Sequence, residues 1–171
     1  LDAPAHGKSE GRLFNVPMYS RLIQQFLDQN EISIILSHSL GAFSTMYLLS
    51  EKPKLSPKKI IALGTPNHAD FFIDEFTRVL GLSSVIRKNL VDYFSNYSGM
   101  KTTDFDSKLF AKNQKSLGLI IHDKSDKEAP FNYAKEMARL WPKSIFLETD
   151  GLGHKLRDDF VVREVIGFME K

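Results

Sequence analysis

Four short apolar runs punctuate the chain, at residues 31–37 (EISIILS), 59–65 (KIIALGT), 116–122 (SLGLIIH) and 143–149 (KSIFLET). Each is nearly continuous in aliphatic character and bounded by turn-forming or charged residues, the pattern of a strand covered on both faces. Between them apolar positions recur at helical spacing. Met18, Leu22, Ile23, Phe26 and Leu27 mark an amphipathic helix over 16–29, with Pro17 in its first turn. The run GAFSTMYLLSE follows the first strand with no linker, so strand must pass into helix through a tight turn at 37–41. A third helix opens at Pro130, carries Tyr133, Ala134, Met137, Ala138 and Leu140, and stops before Pro142. The last begins at Asp158, where two acids suit a helix amino end, and aligns Val161, Val162, Val165, Ile166 and Met169. This alternation predicts an α/β fold with a parallel sheet.

Residues 67–114 interrupt the alternation. They hold two or three helical patterns (FFIDEFTRVLG, then SSVIRKNLVDYFSNY) and the polar stretch GMKTTDFDSK, where one crossover helix would suffice. The expectation is a single domain over 1–171 with a small helical lid inserted at about 67–114. The stripe Phe71, Phe72, Phe76, Val79 and Leu80 is then core or lid underside.

Composition narrows the classes. With 171 residues, 42% hydrophobic and 26% charged, the chain is globular, and folding removes roughly 70% of its unfolded surface from water. Twenty-three basic against 21 acidic residues leave a net charge of +2, so nucleic acid is not an expected partner. Without cysteine there is no disulfide, thiolate nucleophile or cysteine-held metal. His68, Asp70, Asp74, Asp104 and Asp106 lack ligand spacing, and no glycine-rich phosphate loop is present, so neither metal nor cofactor is expected. The basic loop at Lys52, Lys54, Lys58 and Lys59 reads as a solvated connector. No apolar run reaches the ~18 residues of a membrane span, so no membrane association is expected. Lack of cysteine suits cytoplasm and export alike; a cytoplasmic protein is expected, with a targeting segment ahead of Leu1 left open.

The candidate chemistry lies at strand ends. Ser37-His38-Ser39-Leu40-Gly41 joins a buried strand to a helix. A serine on such a turn is held at a sharp backbone angle, which favours small residues two before and two after it. The helix behind offers N–H groups and a positive end where an oxyanion would develop. A serine of ordinary pKa needs a base, and the base an orienting acid. Both follow: His122-Asp123-Lys124-Ser125-Asp126-Lys127-Glu128-Ala129-Pro130 after the third strand, and Asp150-Gly151-Leu152-Gly153-His154 after the fourth. In a parallel sheet these loops share one edge with Ser39.

These segments resemble the α/β-hydrolase family. Asp2 to Ser9 (DAPAHGKS) resembles its D-x-P-G-H-G-x-S loop, Ser37 to Gly41 its nucleophile elbow, His122 to Pro130 its H-G-x-x-D-x-x-V-P acid loop, and Gly151 to His154 its G-x-G-H loop. Ser37, Ala5 and Asp123 each stand where the family has glycine. The resemblance implies Ser39 as nucleophile, Asp126 as acid with Asp123 a rival, His154 as base, and the Leu40 N–H as oxyanion donor. His38 becomes a wall of the active-site mouth and His6 part of the pocket rim, both as substrate-binding residues.

The implied activity is hydrolysis of carboxylic esters or related small-molecule acyl substrates through an acyl-enzyme, with an apolar acyl group against the lid. Thioesterase, peptidase, lactonase and acyltransferase chemistry fit the same residues, and a noncatalytic binding module is the reading from another class. In the family three strands and a helix precede the early loop, and the loop after the third strand gives the second oxyanion donor. The expectation is therefore the carboxyl-terminal part of the fold without its first three strands, of low activity alone. The strand at 31–37 would have an unpaired inner edge, to be met by an amino-terminal segment or a second chain.

Overall fold

The computed structural model describes residues 1–171. Strands β1 (Ile34–His38), β2 (Lys59–Leu63), β3 (Leu117–Asp123) and β4 (Ser144–Thr149) form one sheet in the order β1-β2-β3-β4. Every neighbouring pair is parallel. Seven helices accompany them: α1 (Val16–Gln29), α2 (Leu40–Glu51), α3 (Ala69–Val79), α4 (Ser84–Ser98), α5 (Ser107–Lys112), α6 (Phe131–Leu140) and α7 (Asp159–Glu170). No helix is long and apolar enough to cross a membrane.

Side chains alternate across a strand, and here the alternation feeds two cores. Ile60 and Ile120 point into a cluster with Ile23, Phe43, Met46, Leu49, Met137 and Trp141 from α1, α2, α6 and the turn after α6. Ile61, Leu119 and Ile121 point the other way, onto Val161, Val165 and Phe168 of α7. Helix α2 is apolar on all sides, and seven of its residues are buried, because it lies between the sheet and the helices outside it. Helix ends follow their capping residues: Asn15 accepts from the Met18 N–H at 2.8 Å, and Asp158 from the Phe160 N–H at 2.7 Å.

Two expectations need correction. Cover on both faces holds for β2 and β3, but β1 and β4 are edge strands, with Leu36 49% and Ile145 57% exposed. An apolar run therefore did not distinguish a central strand from an edge one. The outer edge of β1 is free and borders a cavity of about 450 Å³ lined by Tyr19, Ile23, Ile32, Ile34 and Leu36 among others. The polar stretch after α4 also contributes to the core. Phe105 is 1% exposed and meets Phe43, Tyr47, Phe94 and Phe110 ring to ring, while Asp106 caps α5 through the Lys108 N–H. One aromatic among polar residues gives no periodic signal, which is why the sequence pattern passed over it.

Candidate active site

Ser39 is the hinge between β1 and α2. Its φ of 53° and ψ of −127° lie in a region that L-residues avoid. The conformation is held from both sides: the Ser39 N–H donates to Leu63 O at 2.9 Å, continuing the sheet ladder, and its carbonyl accepts the Phe43 N–H at 3.0 Å, starting the helix. The turn thrusts Oγ outward at the carboxyl edge of the sheet. Small flanking residues were expected here, yet a Cβ at Gly41 would meet only the Tyr19 ring at 3.8 Å, an ordinary contact. Leu40 opens α2, so its N–H has no partner within the helix and sits at the positive end of the dipole.

The register carries β3 and β4 to the same edge, Leu63 lying opposite Ile121 and Asp123 opposite Thr149. The loop after β3 folds around Asp126, whose Oδ1 accepts the N–H groups of Glu128 at 2.8 Å and Ala129 at 2.9 Å. Its Oδ2 lies 2.8 Å from His154 Nδ1, and His154 Nε2 lies 2.8 Å from Ser39 Oγ. A carboxylate only accepts, so Nδ1 carries the proton and Nε2 accepts from the serine hydroxyl. The three side chains thus form one unbroken hydrogen-bonded chain, able to draw a proton from the serine as Oγ attacks an electrophile. The exposed Glu128 places a second carboxylate 3.8 Å from Nε2.

Asp123 does not contact His154. It is wholly buried, and its carboxylate accepts from the Ser125 N–H and hydroxyl, the Thr149 hydroxyl at 2.7 Å and the Leu152 N–H at 3.0 Å. Burial pushes its pKa up, but these four hydrogen bonds outweigh that and hold it below the usual carboxylate range. The other histidines take structural partners. His38 Nε2–H donates to the His154 carbonyl at 2.7 Å, and the two rings are 4.9 Å apart. His6, exposed, pairs Nδ1 with the Pro4 carbonyl and packs edge-on against Phe14. His68 caps α3 through the Phe71 N–H.

Two contributors were given no role by the sequence reading, although His122 opens the acid loop and Gly64 lies in the second apolar run. His122 is buried, donates Nε2–H to Ala129 O at 2.8 Å and approaches Asp126 Oδ2 to 3.4 Å; burial lowers its pKa, against the Ala129 carbonyl and the Asp126 carboxylate, which raise it. Gly64, just after β2, is needed for space and backbone alike: at φ +53° a Cβ would stand 3.3 Å from His154 Cε1, Nδ1 and O. A glycine directly after an apolar strand was the available signal.

A cavity of about 750 Å³ opens beside Leu40, and 14 of its 17 lining residues are apolar. Phe43 and Phe105, Phe72 and Phe76 of α3 and Phe94 of α4 line it. Residues 13–17 also line it. Neither His6 nor His38 lines it; His38 lines the smaller cavity along β1.

No protein-family model matches the chain, and no curated protein matches it in sequence. Solved structures do match in shape. Est1E from Butyrivibrio proteoclasticus, solved with ferulic acid bound, superposes with a TM-score of 0.73 at 19% identity, over 98% of this chain and 74% of that one. The monoacylglycerol lipase of Paleococcus ferrophilus gives 0.70 at 17% identity, over 96% and 79%. MGS-MChE2, an α/β-hydrolase enzyme from the metagenome of Mar Chica lagoon sediments in Morocco, gives 0.62 at 17%, over 91% and 71%. A four-stranded parallel sheet with a strained serine turn at its carboxyl edge, matched over nearly its whole length to such structures, has the α/β-hydrolase fold.

Proposed function

We propose that this protein is a serine hydrolase cleaving carboxylic esters or related acyl substrates, with Ser39 as nucleophile, His154 as general base and acid, and Asp126 as the orienting carboxylate. The observation that supports it is the hydrogen-bonded chain from Ser39 through His154 to Asp126. Ser39 Oγ bonds to the carbonyl carbon as its proton passes to His154 Nε2, and the oxyanion faces the Leu40 N–H. His154 then gives the proton to the departing alcohol, leaving an acyl-enzyme. Water attacks the acyl carbon as His154 takes one of its protons, the bond from that carbon to Ser39 Oγ breaks, and His154 returns the proton to Oγ, freeing the acid and restoring the enzyme. Asp126 keeps the imidazole in the tautomer this needs and stabilises its cation.

Residues 67–114 act as a lid on a single domain in this reading, and the apolar cavity beneath them receives the acyl group. The free edge of β1 is where a further strand, from the amino side or from a second copy, would pair. A fluorophosphonate probe should label wild-type protein at Ser39 and leave Ser39→Ala unlabelled. Absence of both labelling and ester hydrolysis would return the chain to the class of noncatalytic binding modules.

The cavity supports a further expectation. Along a series of esters of one alcohol, from acetate to octanoate, kcat/KM should rise by up to roughly fourfold per methylene, the equivalent of ~0.8 kcal/mol per buried CH₂. A flat or falling series would place the acyl group outside this cavity.

A further inference from the structure

The three residues of the proposed site stand on unequal supports. Ser39 is fixed by the ladder bond to β2 and by the start of α2, and Asp126 by two backbone N–H groups. His154 hangs at the end of a loop with two glycines, Gly151 at φ +85° and Gly153 at φ +62°, neither with anything within 4 Å of a would-be Cβ. Glycines give such a segment little backbone restraint of its own, and apart from the packing of Leu152 against the α7 core its position depends on bonds from outside. Besides the two bonds of the His154 ring itself, only two hydrogen bonds reach residues 150–154 from the rest of the protein: Leu152 N–H to Asp123 Oδ2, and His38 Nε2–H to the His154 carbonyl.

We infer that Asp123 and His38 are positioning residues, two ties that clamp the His154 loop to the strands carrying the other two members of the site. His38 ends β1, which leads into Ser39; Asp123 ends β3, which leads into the Asp126 loop. Each strand end therefore holds the histidine loop with one residue and presents its own reacting or orienting group one to three residues later. The Asp123 tie is the firmer of the two. It is buried, shared with Thr149 of β4, and braced from below by Ser125, so the carboxylate cannot swing away without stranding four donors. The His38 tie is exposed, and its ring rests beside the His154 ring. This assigns both residues to the geometry of the reaction rather than to contact with substrate.

The inference rests on the serine hydrolase reading, and the experiment separates the two. His38→Phe keeps a ring but has no donor; His38→Gln keeps a donor. Asp123→Ala removes the acceptor; Asp123→Asn keeps one acceptor oxygen, for which the Leu152 and Ser125 N–H groups compete. Because a displacement of about 1 Å can cost on the order of 10²-fold in rate, His38→Phe and Asp123→Ala should each lower kcat by 10- to 100-fold with KM unchanged. His38→Gln should recover most of the loss and Asp123→Asn only part of it, and the double variant His38→Phe, Asp123→Ala should fall further than either single one. Rates are to be scaled to the number of sites titrated by fluorophosphonate, so that loss of folded protein does not count. Should Asp123→Ala fail to fold, the exposed His38 pair still decides the question. A raised KM with kcat intact in His38→Phe would mean that His38 touches substrate, and parental kcat in the single variants would mean that the loop needs no ties; either overturns the inference while leaving the serine mechanism standing. Activity surviving in Ser39→Ala would instead overturn the mechanism itself.

Discussion

Replacing Ser39 by alanine should remove nearly all ester hydrolysis, a loss on the order of 10⁶-fold in kcat, and His154→Ala should do the same. The reason is the single path that a proton can follow. Ser39 Oγ has one base within reach, His154 Nε2 at 2.8 Å, and that nitrogen has no other hydroxyl to serve. Without the base the hydroxyl stays protonated and unreactive, and without the hydroxyl the base activates nothing. The double variant should thus be no slower than either single variant, with a residue of activity left to the helix amino end and to binding. Initial rates on one short ester, with fluorophosphonate labelling in parallel, are sufficient. Losses that multiply in the double variant would show two independent contributions and contradict a shared mechanism.

Asp126→Asn should cost about 10⁴-fold although it changes only one heavy atom. The two N–H groups of Glu128 and Ala129 fix which way the new amide turns, because they need an acceptor where Oδ1 now lies. The amide oxygen takes that place, and the NH₂ is left facing His154 Nδ1. Two donors cannot share that contact, so His154 must move its proton to Nε2, where it can no longer accept from Ser39. Stability should change far less than rate, as the backbone bonds of the loop are retained. Comparing kcat with the melting temperature makes the check, and a variant within tenfold of the parent rate would show that the tautomer is not what Asp126 controls.

Much of this was legible in the sequence because a parallel sheet converts chain order into spatial neighbourhood. Three loops, each following an apolar run, had to meet at one edge, so Ser39, Asp126 and His154 could be placed together without knowing any contact. The choice between Asp123 and Asp126 was less accessible. Asp123 ends β3 and Asp126 follows it, and only the fold of the loop shows one carboxylate turned inward to Thr149 and Leu152 and the other outward to His154. The role of His38 was hidden for a similar reason: its partner is a backbone carbonyl 116 positions away, and backbone acceptors leave no trace in residue identity. Phe105 and the exposed faces of β1 and β4 show the same limit, since burial depends on what lies across the sheet rather than on the run itself.

The backbone angle at Ser39 sets stability and chemistry against each other. Its φ of 53° would suit glycine, and its side chain makes no capping bond to α2 that glycine would forfeit. Relief of strain of about 1–3 kcal/mol is set against roughly 0.5–1 kcal/mol for glycine's extra freedom in the unfolded chain and about 1 kcal/mol for the lost hydrogen bond to His154. Where the strain exceeds about 2 kcal/mol the balance favours glycine, at the position of the proposed nucleophile. Selection of this protein for heat resistance alone would therefore drift toward an inert molecule, and any such campaign has to screen for turnover alongside survival.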